Sequence, residues 1–256
     1  MKVLVLGGGG REHAIVWALS RSPLIGEIHC FPGNAGIGEL ATIHSSGSLE
    51  PENTMALTEK ILPELVIIGP EAPLAAGVAD LFRDRGFPVF GPGASGARLE
   101  GSKAFAKQFM DRHGIPTATF DICEKFSEAE QALKKRTPPY IVKADGLAAG
   151  KGVFILDSLE EAKETCFNLL EKMALGEAGK TIVIEDHLPG NELTILAVTD
   201  GKTWRLLPSS QDHKRAFDGD RGPNTGGMGA FSPVPWADSG FLKRIEELVI
   251  EPTIRG

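Results

Sequence analysis

The sequence contains little of what marks several common protein classes. Its only cysteines are Cys30, Cys123 and Cys166, which lie far apart and form no C-x-x-C pair. Their number and spacing argue against a disulfide framework and against a zinc site. We expect the three thiols to be buried as small apolar side chains. The six histidines form no H-E-x-x-H motif, so a metalloprotease is not indicated.

Long apolar runs and a surplus of basic residues are also missing. No stretch approaches the length of a membrane-spanning helix. Met1 leads directly into the apolar residues 3–6, without a basic segment or a cleavage site. The formal net charge is -7, and such a charge disfavours binding to the phosphate backbone of nucleic acid. We therefore expect a cytoplasmic protein with no membrane and no nucleic-acid partner.

What is present is the composition of an ordinary globular protein. The chain has 256 residues, of which 42% are hydrophobic, and it is rich in turn formers, with 31 glycines and 17 prolines. This length allows two domains or one large one.

The first hundred residues alternate apolar runs with amphipathic stretches. The runs at 3–6, 28–31, 65–68 and 88–90 predict buried strands, and the stretches at 11–20, 54–62 and 73–85 predict helices. This βαβ series predicts a parallel sheet. Glycine or proline follows every strand, so these loops should gather at the carboxyl edge, where open α/β sheets bind ligands.

A different pattern follows. A helix over 102–112, capped by Ser102, should end before Gly114 and Pro116, which mark a first boundary. Beyond it we predict helices at 127–135 and 159–173 and strands at 140–143, 153–156 and 181–185. The runs 192–199 and 203–208 predict antiparallel strands, and 211–233 is predicted to be a glycine-rich, charged loop.

The loop at 7–10 consists of four glycines between a strand and a helix. Its N–H groups and the helix N-terminus can hold an anion. A dinucleotide fingerprint would need glycine at Glu12 or His13, so the loop suits a phosphate better than NAD. A tight turn that only requires small residues is the alternative.

Three later segments carry polar chemistry. Residues 143–152 read KADGLAAGKG, which fails the P-loop spacing and predicts a hairpin flap between two strands. Lys143 interrupts an apolar strand, and a polyphosphate would compensate its charge; a structural hairpin with solvated lysines is the alternative. Acidic residues flank a hinge at 183–192, although an exposed turn would also explain them. The glycines at 224–229 offer backbone donors to a carboxylate or an acyl phosphate.

Six motifs in order, GGGGREH, PGNAG, GPEAPL, LEGSKAF, SQDHKR and GPNTGGMGA, resemble those of the glycinamide ribonucleotide synthetase family in the ATP-grasp superfamily. The resemblance covers the whole chain. It implies an α/β protein with an N-terminal parallel-sheet, Rossmann-like domain at 1–101 that binds phosphoribosylamine. An α+β ATP-grasp domain at 102–256 would follow, with a small subdomain at about 123–191 and the start of a large one at 192–256. Family members continue further, so this second domain is expected to be incomplete at its C-terminus.

The resemblance also implies roles for particular residues. The nucleotide-binding set is Lys103, Lys143, Asp145, Gly146, Gly150, Lys151, Gly152, Glu185, Asp186, Leu188 and Glu192. The substrate-binding set is Gly9, Gly10, Arg11, Glu12, Asn34, Pro70, Glu71, Asp212, Lys214, Gly226 and Gly229. The catalytic set is Lys143, Asp212, Lys214, Asn224 and Gly227.

The implied reaction is the ATP-dependent ligation of glycine to phosphoribosylamine through glycyl phosphate, by a monomer that uses magnesium or manganese. The expected metal ligands lie beyond residue 256, so no metal ligand is assigned here. Three alternatives remain open. The chain could bind nucleotide or sugar phosphate without turnover, or it could be another ATP-grasp ligase of purine synthesis. A dehydrogenase is the weakest, because the dinucleotide fingerprint is absent.

Overall fold

The computed structural model describes residues 1–146, 152–219 and 221–256, and at Arg215, Pro223, Asn224 and Gly226 it describes the backbone alone. The chain divides into two compact units, Met1–Gly101 and Ser102–Gly256. In the described ranges, no helix combines the length and the apolar character needed to cross a bilayer.

The first unit is built on a parallel sheet of five strands in the order β3-β2-β1-β4-β5. The strands are β1 (Lys2–Gly7), β2 (Glu27–Pro32), β3 (Thr42–Ile43), β4 (Leu65–Ile68) and β5 (Val89–Phe90). The helices are α1 (Gly10–Ser20), α2 (Pro51–Ile61), α3 (Glu71–Ala75), α4 (Val78–Asp84) and α5 (Ala94–Gly101), and Ile37–Glu39 forms a 3-10 turn.

Apolar side chains cover both faces of this sheet. Leu4 and Leu6 of β1 belong to one core cluster, and Val3 and Val5 belong to another on the opposite face. Burial on both sides explains why the strand sequences are continuously apolar. The predicted parallel sheet is confirmed. The single helix predicted over 73–85 is wrong, because Gly77 adopts a left-handed φ of 81° and separates α3 from α4.

The second unit contains an antiparallel sheet in the order β6-β9-β7-β8. Its strands are β6 (Phe120–Cys123), β7 (Tyr140–Ala144), β8 (Val153–Leu156) and β9 (Ile182–Glu185). The accompanying helices are α6 (Lys103–Arg112), α7 (Phe126–Lys134) and α8 (Leu159–Leu170), and Gly176–Gly179 forms a 3-10 turn. Ser102 caps α6 as predicted, because its Oγ accepts the N–H of Phe105 at 3.0 Å.

Strand alternation gives this sheet two different faces. Tyr140, Val142, Ile182 and Ile184 pack into a core with the apolar sides of α7 and α8. The neighbouring residues point to the opposite side, which we call the lysine face. It comprises Ile141, Lys143, Val153, Ile155, Val183 and Glu185.

The rest of the second unit consists of two hairpins and a helical segment. The elements are β10 (Ala197–Thr199), β11 (Trp204–Leu206), β12 (Gln211–Phe217), β13 (Arg221–Phe231), α9 (Ser239–Ile245) and α10 (Glu251–Arg255), with a π-helical turn at Glu246–Ile250. The loop predicted over 211–233 is wrong, because β12 and β13 pair in antiparallel fashion. Glycine lowers strand propensity, but its backbone pairs as well as any other once a neighbouring strand is present. Several of the described elements had no predicted counterpart, among them the short β3, strand β6 and helices α5 and α9.

Candidate functional site

The glycine loop after β1 lies at the carboxyl edge of the parallel sheet, as predicted. Gly9 is the N-cap of α1, so the first N–H groups of this helix face the edge, where they can bind an anion. The loop is tightly packed against its neighbour. A Cβ added at Gly8 would lie 2.5 Å from the carbonyl oxygen of Gly33, whereas one added at Gly10 would meet nothing within 4 Å. Close backbone approach therefore requires glycine at position 8.

Glu12 is buried beneath this loop. It is 4% exposed, and its Oε2 accepts the N–H of Gly9 at 2.7 Å. A Cβ at Gly7 or at Gly69 would lie within 2.5 Å of Glu12 side-chain atoms. The carboxylate thus fills the space between the loops that follow β1 and β4, and it holds the first loop in shape.

Arg11 and Asn34 link the edge loops to one another. Arg11 donates to the carbonyl of Gly69 at 2.5 Å and to Glu71 at 3.1 Å. Asn34 donates to the carbonyl of Gly8 at 2.9 Å. Pro70 is the N-cap of α3. The pKa of Glu71 is lowered first by its own backbone N–H and then by Arg11. The structure thus brings together all the predicted substrate residues of the first unit.

In the second unit, Lys143 and Glu185 meet on the lysine face. They occupy the adjacent strands β7 and β9 and form an ion pair, and Lys107 of α6 reaches the other oxygen of Glu185 at 2.5 Å. Burial alone would raise the pKa of Glu185, but the ammonium groups of Lys107 and Lys143 outweigh it and leave that pKa below 4.5. Two ammonium groups and one carboxylate leave one surplus positive charge, which suits an anionic ligand.

Asp145 joins β7 to the beginning of α6. Its Oδ1 accepts the N–H of Ala104 at 2.6 Å and the hydroxyl of Ser102 at 3.0 Å. A carboxylate in this position stabilises a helix N-terminus. The Nζ of Lys103 donates to the carbonyl of Gly146 at 3.2 Å. Asp145 and Gly146 therefore position Lys103 beside the strand that carries Lys143.

A pocket of about 420 Å³ lies within the second unit. It is lined by Ile155, His187, Leu188, Gly190, Asn191, Glu192, Gln211, Asp212, His213 and Lys214. Ile155 belongs to the lysine face, so this pocket and the Lys143–Glu185 pair are on the same side of the sheet. Leu188 is 66% exposed and gives the hinge an apolar surface. The volume is within the range of small-molecule sites.

Charged side chains line the wall of the pocket at β12. Lys214 contacts Glu192 at 2.7 Å and Asp212 at 3.7 Å. The hydrogen bond that Lys214 donates to Glu192 raises the pKa of Lys214 above 10.5. The predicted nucleotide residue Glu192 and the predicted catalytic pair thus share one pocket.

Arg136 anchors the hinge that begins after β9. Its side chain is 4% exposed and contacts Asp121 at 2.6 Å and Asp186 at 3.1 Å. The N–H of Asp186 donates to the carbonyl of Thr119 at 3.0 Å. Neither Arg136 nor Lys107 was predicted to be part of a site. Lys107 could have been found, since it follows Lys103 by one helical turn on the same side of α6.

Several predicted residues cannot be assigned to this site. Gly150 and Lys151 lie outside the described residues. For Asn224 and Gly226 only the backbone is described. Gly152 continues the β7–β8 ladder by accepting the N–H of Ala144 at 2.8 Å. Gly227 and Gly229 are in β13, opposite β12. Gly227 adopts a left-handed φ of 113°, a conformation that favours glycine.

No metal centre is formed by the residues described here. Ranges 1–146, 152–219 and 221–256 contain no group of three or more His, Cys, Asp or Glu side chains that could hold a metal ion. No described residue is therefore assigned as a metal ligand.

Comparison with known proteins agrees with the motifs. Residues 1–100 match the family model described as phosphoribosylglycinamide synthetase, N domain, and residues 101–256 match the one described as phosphoribosylglycinamide synthetase, ATP-grasp (A) domain. The phosphoribosylamine–glycine ligase of Streptomyces coelicolor is 50% identical over 254 residues, covering 99% of this chain and 59% of that protein. The ligase of the same name from Ralstonia nicotianae is 46% identical over 256 residues, covering 100% of this chain and 61% of that protein.

A solved structure is also similar. The crystal structure of phosphoribosylamine–glycine ligase from Thermotoga maritima has a TM-score of 0.82 and 44% identity, covering 99% of this chain and 60% of that chain. The chain thus spans about 60% of the length of these relatives. Because the two family models together match every residue from 1 to 256, the chain belongs to the phosphoribosylglycinamide synthetase family.

Proposed function

We propose that this chain contributes to the ATP-dependent joining of glycine to 5-phosphoribosylamine in purine biosynthesis. The products are glycinamide ribonucleotide, ADP and phosphate. The observation that carries the proposal is the lysine face, where the Lys107, Lys143 and Glu185 cluster has a surplus positive charge. Ile155 on the same face lines a pocket large enough for a small molecule. A nucleoside triphosphate needs both features.

In the proposed reaction, the carboxylate of glycine attacks the γ-phosphorus of ATP, which gives glycyl phosphate and ADP. The amine of phosphoribosylamine then attacks the glycyl carbonyl and releases phosphate. Lys103 and Lys143 would hold the phosphates, and Asp212, Lys214 and the 224–229 segment would bind glycine and its acyl phosphate. Catalysis would rest on positioning and charge neutralisation.

The first unit would bind the sugar phosphate. Gly9 and Gly10 at the start of α1 have no side chain of their own to obstruct a phosphate, and Arg11 adds a cation at the same edge. Asn34, Pro70 and Glu71 would complete the contacts. Glu12 would act by fixing the N–H of Gly9, to which it is hydrogen-bonded.

The proposal also covers the metal, the partners, the cellular location and the oligomeric state. Magnesium, or manganese, is proposed as the metal of the reaction. No described residue is assigned to it. The net charge of -7 supports a protein without a nucleic-acid partner. We propose a cytoplasmic monomer.

The test is ADP release measured with this chain in the presence of magnesium, with ATP, glycine and phosphoribosylamine each omitted in turn. We expect release only when all are present. Release with formate or bicarbonate in place of glycine would favour another ligase of the superfamily. ATP binding without any release would leave nucleotide binding as the function of this chain.

Two variants separate the two units. Lys143→Met should weaken ATP binding and leave ribose 5-phosphate binding unchanged, because the lysine lies on the sheet of the second unit. Arg11→Met should do the reverse. Isothermal titration calorimetry measures both affinities, and equal losses in both variants would contradict the division of roles.

A further inference from the structure

Two lysines share the carboxylate of Glu185, and they are held differently. Lys107 is buried, with a side chain that is 11% exposed. It also donates to the hydroxyl of Thr117 at 2.6 Å and lies 5.8 Å from the centre of the Phe120 ring. The side chain of Lys143 is 27% exposed and comes from a neighbouring strand of the sheet. Lys107 is therefore fixed, and Lys143 is the more accessible of the two cations.

Glu185 itself stays buried whatever Lys143 contacts. Its side chain is 9% exposed, and a buried carboxylate without a cation is strongly destabilised. If Lys143 were its only partner, moving that ammonium to a ligand would leave Glu185 uncompensated. Lys107 on α6 prevents this, because it neutralises the carboxylate of Glu185 even when Lys143 contacts a ligand.

We propose that Lys107 is a positioning residue of the nucleotide site, which frees Lys143 to bind a phosphate group by keeping Glu185 neutralised. This inference rests on the proposed function, because it assumes that a triphosphate binds on the lysine face. Lys107 need not touch the ligand. It acts through the charge of the cluster.

The charge of the cluster gives an order of affinities. The wild type has one surplus positive charge, and Lys107→Met removes it. Glu185→Gln raises the surplus to two, and the double variant restores it to one. A role for Lys107 in packing alone would give no restoration, because the double variant also lacks the lysine. The comparison is thus a double-mutant cycle on one contact.

The experiment measures binding of inorganic triphosphate, in metal-free buffer at fixed ionic strength, to the four proteins by isothermal titration calorimetry. Triphosphate carries no adenine, so contacts of Glu185 with a base do not enter. We expect Lys107→Met to weaken binding about ten- to a hundredfold, because Lys143 would then have to remain with Glu185 and the usual gain from a contact between two charged groups would be lost. Glu185→Gln should bind at least as tightly as the wild type. The double variant should have the affinity of the wild type, because both have one surplus positive charge.

Lys163→Met is the matched control. Lys163 on α8 pairs with Glu130 of α7 at 3.3 Å, so this variant loses the same charge away from the lysine face. We expect wild-type triphosphate affinity. Circular dichroism checks that each variant is folded. If Lys107→Met is unfolded, the double variant still tests the inference, because it contains no buried carboxylate without a partner. Its triphosphate affinity is then compared with that of Glu185→Gln.

Wild-type affinity in Lys107→Met, or an equal loss in Lys107→Met and in the double variant, would overturn the inference. If the four triphosphate affinities follow the expected order but the wild type does not bind ATP, the inference stands. The proposed function is then wrong, because it requires ATP. If the wild type binds ATP and the order fails, the inference alone is wrong. If the wild type binds neither molecule, both are wrong.

Discussion

The two units present different groups at the places where we propose that anionic ligands bind. The parallel sheet of the first unit ends in loops whose shape requires glycine at several positions. The buried carboxylate of Glu12 holds these loops in place. The antiparallel sheet of the second unit presents charged side chains, with Lys143 and Glu185 on one face. Backbone N–H groups give directional contacts, whereas ammonium groups give charge that can move. The first unit should therefore be sensitive to added atoms and the second to lost charges.

The largest effect is expected for a buried charge in the second unit. Arg136→Met removes the partner of Asp121 and Asp186 at a site where the arginine side chain is 4% exposed. The carboxylates left behind are 29% and 48% exposed and can be hydrated, so the free energy of unfolding should fall by about 1.5–3 kcal/mol, the usual range for a hydrogen bond to a charged group. Urea unfolding followed by circular dichroism measures it.

Lys135 provides the control for this prediction, because it contacts the same carboxylate of Asp121 at 3.0 Å but has a side chain that is 64% exposed. Lys135→Met should change stability by less than about 1 kcal/mol. Equal losses for the two variants would mean that burial does not decide the strength of these pairs, and the comparison would fail for the second unit.

A smaller effect is expected for an added methyl group in the first unit. Gly8→Ala places a Cβ 2.5 Å from the carbonyl oxygen of Gly33, so one of the two loops must shift. Overpacking of this kind should cost about 1–3 kcal/mol, measurable as a lower midpoint in urea. It should also weaken binding of ribose 5-phosphate.

Gly10→Ala is the matched change, because it lies in the same loop and its Cβ would meet nothing within 4 Å. Its stability should equal that of the wild type within about 0.5 kcal/mol. A destabilised Gly10→Ala, or an unaffected Gly8→Ala, would show that close backbone approach is not what the glycines provide.

The smallest effect is expected at the wall of the pocket. Lys214 pairs with Glu192 but is 43% exposed, so Lys214→Met should lower stability by less than about 1 kcal/mol. Its pKa is raised above 10.5 by Glu192. The contribution is therefore complete below 10.5 and is lost as pH rises through the raised value. Urea unfolding of both proteins across this range should show curves that converge at high pH; a constant difference would contradict the assignment to charge.

Much of the first unit could be predicted because its signals are local. Continuous apolar runs such as 3–6 and 65–68, each followed by glycine, indicate buried parallel strands, and they became β1 and β4. The signals failed where pairing depends on distant residues. Strand β6 (Phe120–Cys123) pairs with β9, more than fifty residues away, and β13 is rich in glycine but is stabilised by β12.

The candidate sites divide in the same way. The residue pattern indicated the glycine loop at 7–10 and Lys143, and the family resemblance added Arg11 and Glu185. The structure brings Arg11 to the loop that follows β4 and Glu185 to Lys143. Nothing in the sequence paired Lys107 with Glu185 or Arg136 with Asp186, because those residues are far apart along the chain.

The sequence by itself determined the family, the parallel sheet and the residue types available for binding. Motifs and apolar runs depend only on residues that are close together along the chain. Only the tertiary structure decided which charges meet. Strand register places Lys143 beside Glu185 on one face, and the packing of α6 brings Lys107 to the same carboxylate. The electrostatic balance of that face depends on distances of a few ångströms between side chains, and these are fixed by packing rather than by spacing along the chain.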